Sequence, residues 1–191
     1  KHSDTHVEYE LDTATWIGPW AGHGPDFDFV RDVAALINSS GLKAEAYEDL
    51  LPHQWSKLIF NSAVNSISAI TDLPHVRAFA HREELADLGH LVYAMMHEGK
   101  RIAEACGVAL ADDPWLMNVK AVSHGQTGNE EYGHVTSMLE DVRNRRLTEV
   151  DWITGAIVRE AARAGVPAPY HETLYRLVKA HESSWKRRPA H

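Results

Sequence analysis

The 191-residue chain contains a single cysteine, Cys106, so an internal disulfide is excluded. A chain without disulfides fits a reducing compartment, and we expect a cytoplasmic protein whose one thiol is packed rather than reactive. No apolar run approaches the ~18 residues that a membrane-spanning helix needs, and no signal peptide is visible. A membrane partner is therefore not expected.

Positive charge is also scarce. Lysine and arginine number 19 against 27 aspartates and glutamates, which gives a net charge of −8. Nucleic acid is not expected as a partner, because binding to phosphates requires a basic face. The chain has 13 histidines but no His-Glu-x-x-His motif. We therefore expect surface or core histidines and no metal site.

The first part of the chain has the pattern of an α/β fold. Alternation with period two predicts a strand at 6–10, and residues 15–20 can form its hairpin partner. Helical spacing predicts a helix at 27–38, and a short strand is expected at 42–47. Residues 1–50 are thus interpreted as the tail of an α/β domain. Because the chain begins inside this sheet, we expect it to be part of a longer protein.

From residue 51 onward the pattern predicts helices and no convincing strand. The expected helices lie at 51–70, about 83–106, 135–143, 148 to about 164, and 169–181, with a further segment opening at Asp112 and a loop at 124–134. Thr148 begins a pattern typical of a capping box, in which its hydroxyl would bond the amide of Asp151. Gly165 and Pro167 are expected to end that helix.

One predicted helix carries an unusual polar row. Lys57, Asn61 and Asn65 recur every four residues, and steps of four drift by only ~40° around a helix, so the three share a face. The plainest interpretation is a row that faces solvent. Asparagine is, however, a poor helix former. An ammonium beside two amides suits a small oxygen-rich anion such as a hydroxy acid or keto acid, which would place the row in a wet cleft.

A second polar stretch lies at 134–151. Ser137 lies near a predicted helix start, and Glu149 lies in the first turn of the next helix. Each has an ordinary structural explanation, because serine is a common N-cap and an acidic side chain is favoured at the positive end of a helix. Taken alone, neither residue distinguishes a binding site from a helix cap.

An ordered set of motifs resembles the carboxy-terminal domain of the ketopantoate reductase family over about residues 5–182. The motifs are Trp55-x-Lys57-x-x-x-Asn61-x-x-x-Asn65, Ser137-Met138-Leu139-x-Asp141, Thr148-Glu149-Val150-Asp151-x-Ile153-x-Gly155 and Gly165-Val166-Pro167-x-Pro169. In that family an all-helical domain follows a Rossmann domain, and the substrate lies in the cleft between them.

The resemblance implies a mainly α fold in two parts. Residues 1–50 would be the last strands and helix of the Rossmann-type, dinucleotide-binding α/β domain. Residues 51–191 would be the helical substrate-binding and dimerisation domain. The glycine-rich phosphate fingerprint is absent from the sequence, so most of the first domain is expected to be missing from this chain.

The resemblance also implies a reaction, in which NADPH reduces a small 2-keto acid, 2-dehydropantoate, to the 2-hydroxy acid pantoate. It assigns Lys57 as the general acid, Asn61 and Asn65 as substrate-binding amides, Ser137 as a hydroxyl that holds the substrate carboxylate, and Glu149 as an acid near Lys57 and the cofactor ribose. A charged lysine can stabilise a growing oxyanion and then protonate it. A homodimer is expected, and the chain alone is expected to be inactive.

The sequence departs from the family pattern at three positions. They are Ser66, where proline is frequent; His75, where asparagine or glycine is expected; and Arg145, where the family has glycine. If His75 faces the cleft, a different 2-keto acid would fit. The alternative function is a catalytically inactive helical dimerisation or interaction module, which would have no need of the polar row.

Overall fold

The computed structural model describes residues 14–19, 24, 26–83, 86–123 and 133–185. The chain divides into two compact units, Lys1–Leu51 and Pro52–His191. The first is an α/β unit, and the second is almost entirely helical in its described part. The mainly α fold predicted from the sequence is therefore confirmed.

The first unit contains a parallel strand pair joined by a helix. Strand β1 (Thr15–Ile17) and strand β2 (Ala44–Ala46) flank helix α1 (Phe27–Ser39), and Thr15 pairs with Ala44. Parallel strands need such a crossover, so the arrangement is a βαβ unit. The predicted helix at 27–38 and the strand within 42–47 are confirmed, whereas the predicted strand at 6–10 lies outside the described residues.

The second unit is built from helices that follow one another with short connections. In chain order they are α2 (Leu51–Thr71), α3 (Asp87–Ala105), α4 (Pro114–Ser123), α5 (Ser137–Arg143), α6 (Thr154–Ala164) and α7 (Pro169–Trp185), with 3-10 helices at Arg77–Ala80 and Glu149–Asp151. Gly165 ends α6 with a φ of 69°, a left-handed backbone that glycine adopts without steric cost. The predicted stop at Gly165 is confirmed.

The expectation that no strand follows residue 51 is wrong. Strand β3 (His75–Val76) pairs antiparallel with strand β4 (Gly133–His134), and His75 lies opposite His134. Two residues are too few to show a period of two, so this ladder leaves no pattern in the sequence. It nevertheless brings two histidines together from distant parts of the chain.

The predicted capping box at Thr148 is also wrong. The Thr148 hydroxyl accepts a hydrogen bond from the Val150 amide at 3.3 Å rather than from the amide of Asp151. The segment Glu149–Asp151 forms a 3-10 turn, and α6 begins only at Thr154. The same hydroxyl also donates to the Glu182 carboxylate at 2.7 Å, and this bond to α7 competes with the local cap.

Helix α2 runs through the centre of the main hydrophobic core. Its side chains Ile59, Ala63 and Ile67 are almost completely buried and belong to one apolar cluster with residues of α3, α6 and α7. At Gly99 of α3, a Cβ atom would lie 2.6 Å from Cγ2 of Ile59, so the two helices approach closely only because position 99 is glycine. The orientation of α2, and hence of its polar row, is fixed by this packing.

The structure shows the surroundings of Ser66 and Arg145, two of the positions at which the sequence departs from the family pattern. Ser66 is fully buried, and its hydroxyl lies 2.6 Å from the Thr154 hydroxyl at the start of α6. Arg145 has a φ of 54°, in the left-handed region where glycine is favoured and other residues are strained. The backbone at 145 therefore explains why glycine would suit this position, and arginine adopts the same conformation here.

Cys106 packs partly buried against the core, as predicted for a thiol without a reactive role. Burial raises the pKa of this thiol, and the charge of Glu160 raises it further. Within the described ranges, no helix is both long and apolar enough to cross a membrane.

Candidate active site

An open cleft of about 360 Å³ lies beside α2 in the helical unit. Residues of α2, β3, α4, β4 and the start of α5 line it, namely Phe60, Asn61, Val64, Asn65, His75, Ala121, His134, Thr136 and Ser137. The cleft therefore brings Asn61 and Asn65 together with Ser137, which is more than 70 positions later in the sequence. Three of the five predicted site residues share one cavity.

The polar row on α2 runs from the open surface into this cleft. Lys57 is exposed, Asn61 is half-buried, and Asn65 is only 8% exposed. The expectation of a solvent-facing row thus holds at Lys57 and fails at Asn65, since burial of an amide beside a cavity is typical of a ligand-facing position. Lys57 lies one helical turn before Asn61, outside the residues that line the cleft.

Ser137 is the first residue of α5, but it does not cap the helix. Thr136 is the N-cap, and its buried hydroxyl accepts a hydrogen bond from the Leu139 amide at 3.2 Å. The ordinary structural explanation for Ser137 is therefore wrong, because the adjacent threonine performs the capping role. Ser137 is exposed at the cleft, where its hydroxyl can meet a ligand.

Glu149 lies on a short segment that is anchored on both sides. The amide and hydroxyl of Thr148 donate to the Glu182 carboxylate at 2.9 and 2.7 Å, and Lys179 donates to Asp151 at 2.8 Å. The hydrogen bond from Lys179 lowers the pKa of Asp151, so this partner stays ionised. Glu149 itself is exposed and does not line the cleft, so its role near Lys57 stays a prediction.

His75 forms part of the cleft wall and has a defined tautomer. The Asn118 amide nitrogen donates to the Phe79 carbonyl at 2.9 Å, which leaves the Asn118 oxygen facing Nε2 of His75 at 2.8 Å. Since a carbonyl only accepts, the amide orientation is fixed and His75 must carry its proton on Nε2. Burial lowers the pKa of His75, and His134 lowers it further against the opposing effect of Asn118. With a pKa below its ordinary value, the imidazole is neutral at neutral pH.

A second series of hydrogen-bonded polar side chains begins on an adjacent face of α2, and the sequence does not predict it. Nε2 of His171 lies 3.0 Å from the Ser62 hydroxyl, and Nδ1 of His171 lies 2.8 Å from the Glu98 carboxylate. The order serine, histidine, acid resembles a nucleophile with its base. All three residues are fully buried, and the Ser62 hydroxyl donates to the Ile59 carbonyl at 2.8 Å. These three hydrogen-bonded side chains therefore hold the helices together and do not contact a substrate.

The polar groups at the cleft are amides, hydroxyls and imidazoles. Among the described residues, no three or more histidine, cysteine, aspartate or glutamate side chains are grouped so as to hold a metal ion. Side-chain amides and hydroxyls are suited to binding the oxygens of a small organic acid by hydrogen bonds.

Comparison with known proteins defines the class to which this fold and cleft belong. The family described as Ketopantoate reductase PanE/ApbA C terminal matches residues 49–182. The chain therefore belongs to the ketopantoate reductase family, and its helical unit is the carboxy-terminal domain of that family. The resemblance inferred from the polar motifs is confirmed.

Individual relatives share both sequence and fold with the chain. It is 31% identical over 156 residues to a 2-dehydropantoate 2-reductase of Pyrococcus horikoshii, covering 82% of this chain and 48% of that protein. The structure of a PanE/ApbA family ketopantoate reductase from Ralstonia eutropha JMP134 matches with a TM-score of 0.70 and 29% identity, covering 90% of this chain and 52% of that one.

A D-mandelate dehydrogenase, solved with NADH and anilino(oxo)acetate, matches with a TM-score of 0.70 and 26% identity over 83% of this chain and 50% of that one. The chain spans about half the length of the curated relatives it matches. The similarity thus covers about half of each of these proteins.

Proposed function

We propose that the chain supplies the substrate-binding half of an NADPH-dependent reductase that converts a small 2-keto acid to the 2-hydroxy acid. By resemblance the substrate is 2-dehydropantoate and the product is pantoate. The single observation that carries the proposal is the cleft in which Asn61 and Asn65 of α2 meet Ser137 of α5. Membership of the ketopantoate reductase family supports the same reaction class.

The cleft residues have distinct roles in this proposal. The amides of Asn61 and Asn65 can each donate and accept, so they can hold the keto oxygen and a carboxylate oxygen at the same time. The hydroxyl of Ser137 donates to the substrate carboxylate. Such directed hydrogen bonds orient the keto carbon and reduce the entropic cost of reaching the transition state.

Lys57 completes the reaction as the general acid. When bound, the nicotinamide cofactor supplies the hydride that is added to the keto carbon. Negative charge then grows on the keto oxygen, and the Lys57 ammonium stabilises this charge and donates a proton to form the alcohol. Lys57 is exposed one turn before Asn61, and its flexible stem allows its ammonium to approach a ligand held by that amide.

Glu149 is proposed as a positioning acid that orients the Lys57 ammonium and contacts the cofactor ribose. The anchors at Thr148 and Asp151 support this role, because they fix the backbone on both sides of an exposed carboxylate. A side chain on a fixed segment loses less freedom when it forms a hydrogen bond.

The residues of this chain are better suited to binding the keto acid than to binding the cofactor. Its α/β unit contains the β1–α1–β2 element but no glycine-rich phosphate loop in its sequence. We therefore propose that another part of the full-length protein binds the cofactor phosphates. The 191-residue chain alone should show no NADPH oxidation, and measurable oxidation by it would contradict this division.

A second candidate is a catalytically inactive helical module that pairs subunits. It is favoured by the exposed apolar side chains Trp152 and Leu147, which are 78% and 70% exposed, since such groups often lie in protein interfaces. A homodimer is also proposed for the active reductase. Dimer formation alone therefore does not separate the two candidates, whereas turnover does.

The test is a steady-state assay of the full-length protein with a panel of small 2-keto acids and with NADPH or NADH. Wild-type protein should reduce at least one of them with NADPH, and Lys57→Ala should lower kcat by ~100- to 10,000-fold, the usual contribution of a general acid. Lys43→Ala, an exposed lysine of the α/β unit, is the matched control. Circular dichroism should show unchanged helix content in both variants.

Near-normal turnover in Lys57→Ala would contradict the general-acid role. If the wild-type protein reduces no 2-keto acid with either cofactor but forms a stable dimer, the reductase proposal is wrong and the pairing module is the better description. Turnover that depends on NADH and not on NADPH would contradict the cofactor choice and leave the reaction class intact.

A further inference from the structure

We propose that His75 selects the substrate: with Phe60 and Val64 it forms an uncharged wall that accepts an apolar side chain on the 2-keto acid and disfavours a second carboxylate. This inference rests on the proposed function and names its substrate class. It concerns one of the positions at which the chain departs from the family pattern.

The first argument is the charge of the cleft. Among the described residues that line it, none is lysine, arginine, aspartate or glutamate, and only His75 and His134 are titratable. A substrate needs its own carboxylate and keto oxygen held, and Asn61, Asn65 and Ser137 can do this. The Lys57 ammonium is assigned to the keto oxygen in the proposed function, so a second carboxylate on the substrate side chain would meet no lysine or arginine among these lining residues. Leaving such a carboxylate partly desolvated and unpaired is costly.

The second argument is that the hydrogen-bond donor of His75 is already used. Nε2–H donates to the Asn118 oxygen at 2.8 Å, and the Asn118 amide donates to the Phe79 carbonyl at 2.9 Å. A neutral imidazole has only one N–H. His75 therefore cannot donate to a ligand oxygen, and it offers the cleft no interaction that favours an anion.

The third argument is that the wall is rigid. The His75 ring stands edge-to-face with Phe60 at 5.8 Å and with Phe79 at 5.3 Å between ring centroids. His75 is 2% exposed and Phe79 is fully buried. A ring held between two aromatic rings and one amide cannot turn its N–H towards a ligand without breaking these contacts. Phe60 and Val64 extend the wall with apolar surface.

The experiment compares two 2-keto acids of similar size in the full-length protein with NADPH. One is 3-methyl-2-oxobutanoate, which has a branched apolar side chain, and the other is 2-oxobutanedioate, which has a second carboxylate. The readout is the ratio of their kcat/KM values, because a partly unfolded preparation lowers both values equally. We expect the wild-type ratio to favour the apolar acid by at least ~100-fold, about 2.8 kcal/mol at tenfold per 1.4 kcal/mol.

Two variants test the residue. His75→Asn replaces the imidazole with an amide that can donate to a ligand, so the ratio should fall by at least ~10-fold, the effect of one hydrogen bond to a charged group. Asn118→Ala removes the acceptor that occupies Nε2–H, so it should lower the ratio in the same direction. His90→Asn, an exposed histidine of α3, is the matched control and should leave the ratio unchanged.

Nitrogen-15 NMR of the imidazole adds a readout that a purely structural role of Asn118 would not change. His75 should show the Nε2–H tautomer in the wild type and a mixture of tautomers in Asn118→Ala. An unchanged ratio in His75→Asn, a wild-type preference for the dicarboxylic acid, or a wild-type Nδ1–H tautomer would overturn this inference. Absence of turnover with every 2-keto acid would instead refute the proposed function, so the two failures are distinguishable.

Discussion

Helix α2 carries two polar faces that differ in which molecule supplies their partners. Ser62 and Ser66 are fully buried, and their hydroxyls lie within hydrogen-bond distance of side chains on α7 and α6. Asn61 and Asn65, each one residue earlier, turn into the cleft. Each step of one residue turns the side-chain direction by 100° about the helix axis, so the two pairs face different surroundings. The comparison shows two roles for a polar side chain on one helix. It stabilises the fold when another side chain of the protein supplies its hydrogen-bond partner, and it can bind a ligand when it faces a cavity.

The buried side shows why scaffold polarity can imitate catalysis. Glu98 accepts from the amides of His171 and Tyr170 at 2.9 and 3.2 Å and also lies 2.8 Å from Nδ1 of His171. Since the Ser62 hydroxyl lies at the other nitrogen of the His171 ring, the three side chains follow the order acid, histidine, serine of a catalytic triad. Complete burial of Glu98, His171 and Ser62 makes them a link between α2, α3 and α7. Residue types alone therefore do not identify an active site.

The largest effect on stability is expected from Glu98→Gln. The variant keeps the size of the side chain but removes its charge and turns one acceptor into a donor that faces N–H groups. The free energy of unfolding should fall by ~3 kcal/mol, as when one partner of a buried pair is lost. Chemical denaturation of the full-length protein measures this loss, and Glu104→Gln, an exposed glutamate on the same helix, is the control.

Glu98 also predicts a dependence of stability on pH. Burial alone would raise its pKa, but hydrogen bonds from His171 and Tyr170 outweigh it, so the pKa lies below its ordinary value of 4.5. A carboxyl with a lowered pKa stabilises the fold fully above its unfolded value and loses this contribution as the pH falls through the folded value. The difference between wild type and Glu98→Gln should therefore shrink below pH 4.5. If the stability difference between wild type and Glu98→Gln does not change with pH, or if the two proteins are equally stable at neutral pH, the stabilising role of the ionised Glu98 is wrong.

The smallest effect is expected at Arg145, where a stabilising change should leave the cleft untouched. Arg145→Gly relieves the left-handed backbone at φ 54° and should raise the free energy of unfolding by about 0.5–1 kcal/mol after the entropic cost of glycine. Arg145→Ala removes the same side chain but retains the strain, so it should give no gain. Equal stability of the two variants would show that the backbone at 145 is not strained.

Much of the fold was predictable because long helices repeat their apolar spacing many times. The helices α1, α2 and α7 begin where the sequence places them. The start of α3 was placed about four residues too early, since its N-cap, Ala86, makes no side-chain hydrogen bond and leaves no signal. The β3–β4 ladder was missed because two-residue strands have no period.

The site was predictable only in part. Spacing on one helix placed Asn61 and Asn65 on one face, but only the family resemblance connected them with Ser137. The buried bond between Glu98 and His171 joins residues 73 positions apart, and a lone glutamate in an amphipathic helix normally indicates a surface position. Long-range contacts of this kind depend on packing, which one sequence does not encode locally.

The most direct measurement of the central claim is the equilibrium binding of a 2-keto acid to Asn65→Ala and Ser62→Ala in the full-length protein, by calorimetry. Both variants shorten a buried polar side chain of α2 by truncation to alanine. We expect Asn65→Ala to weaken binding by ~10- to 100-fold, the loss of one hydrogen bond to a charged ligand. Ser62→Ala should lower the melting temperature and leave the dissociation constant within about threefold. Wild-type affinity in Asn65→Ala, or an equal loss in Ser62→Ala, would contradict the assignment of the cleft as the binding site.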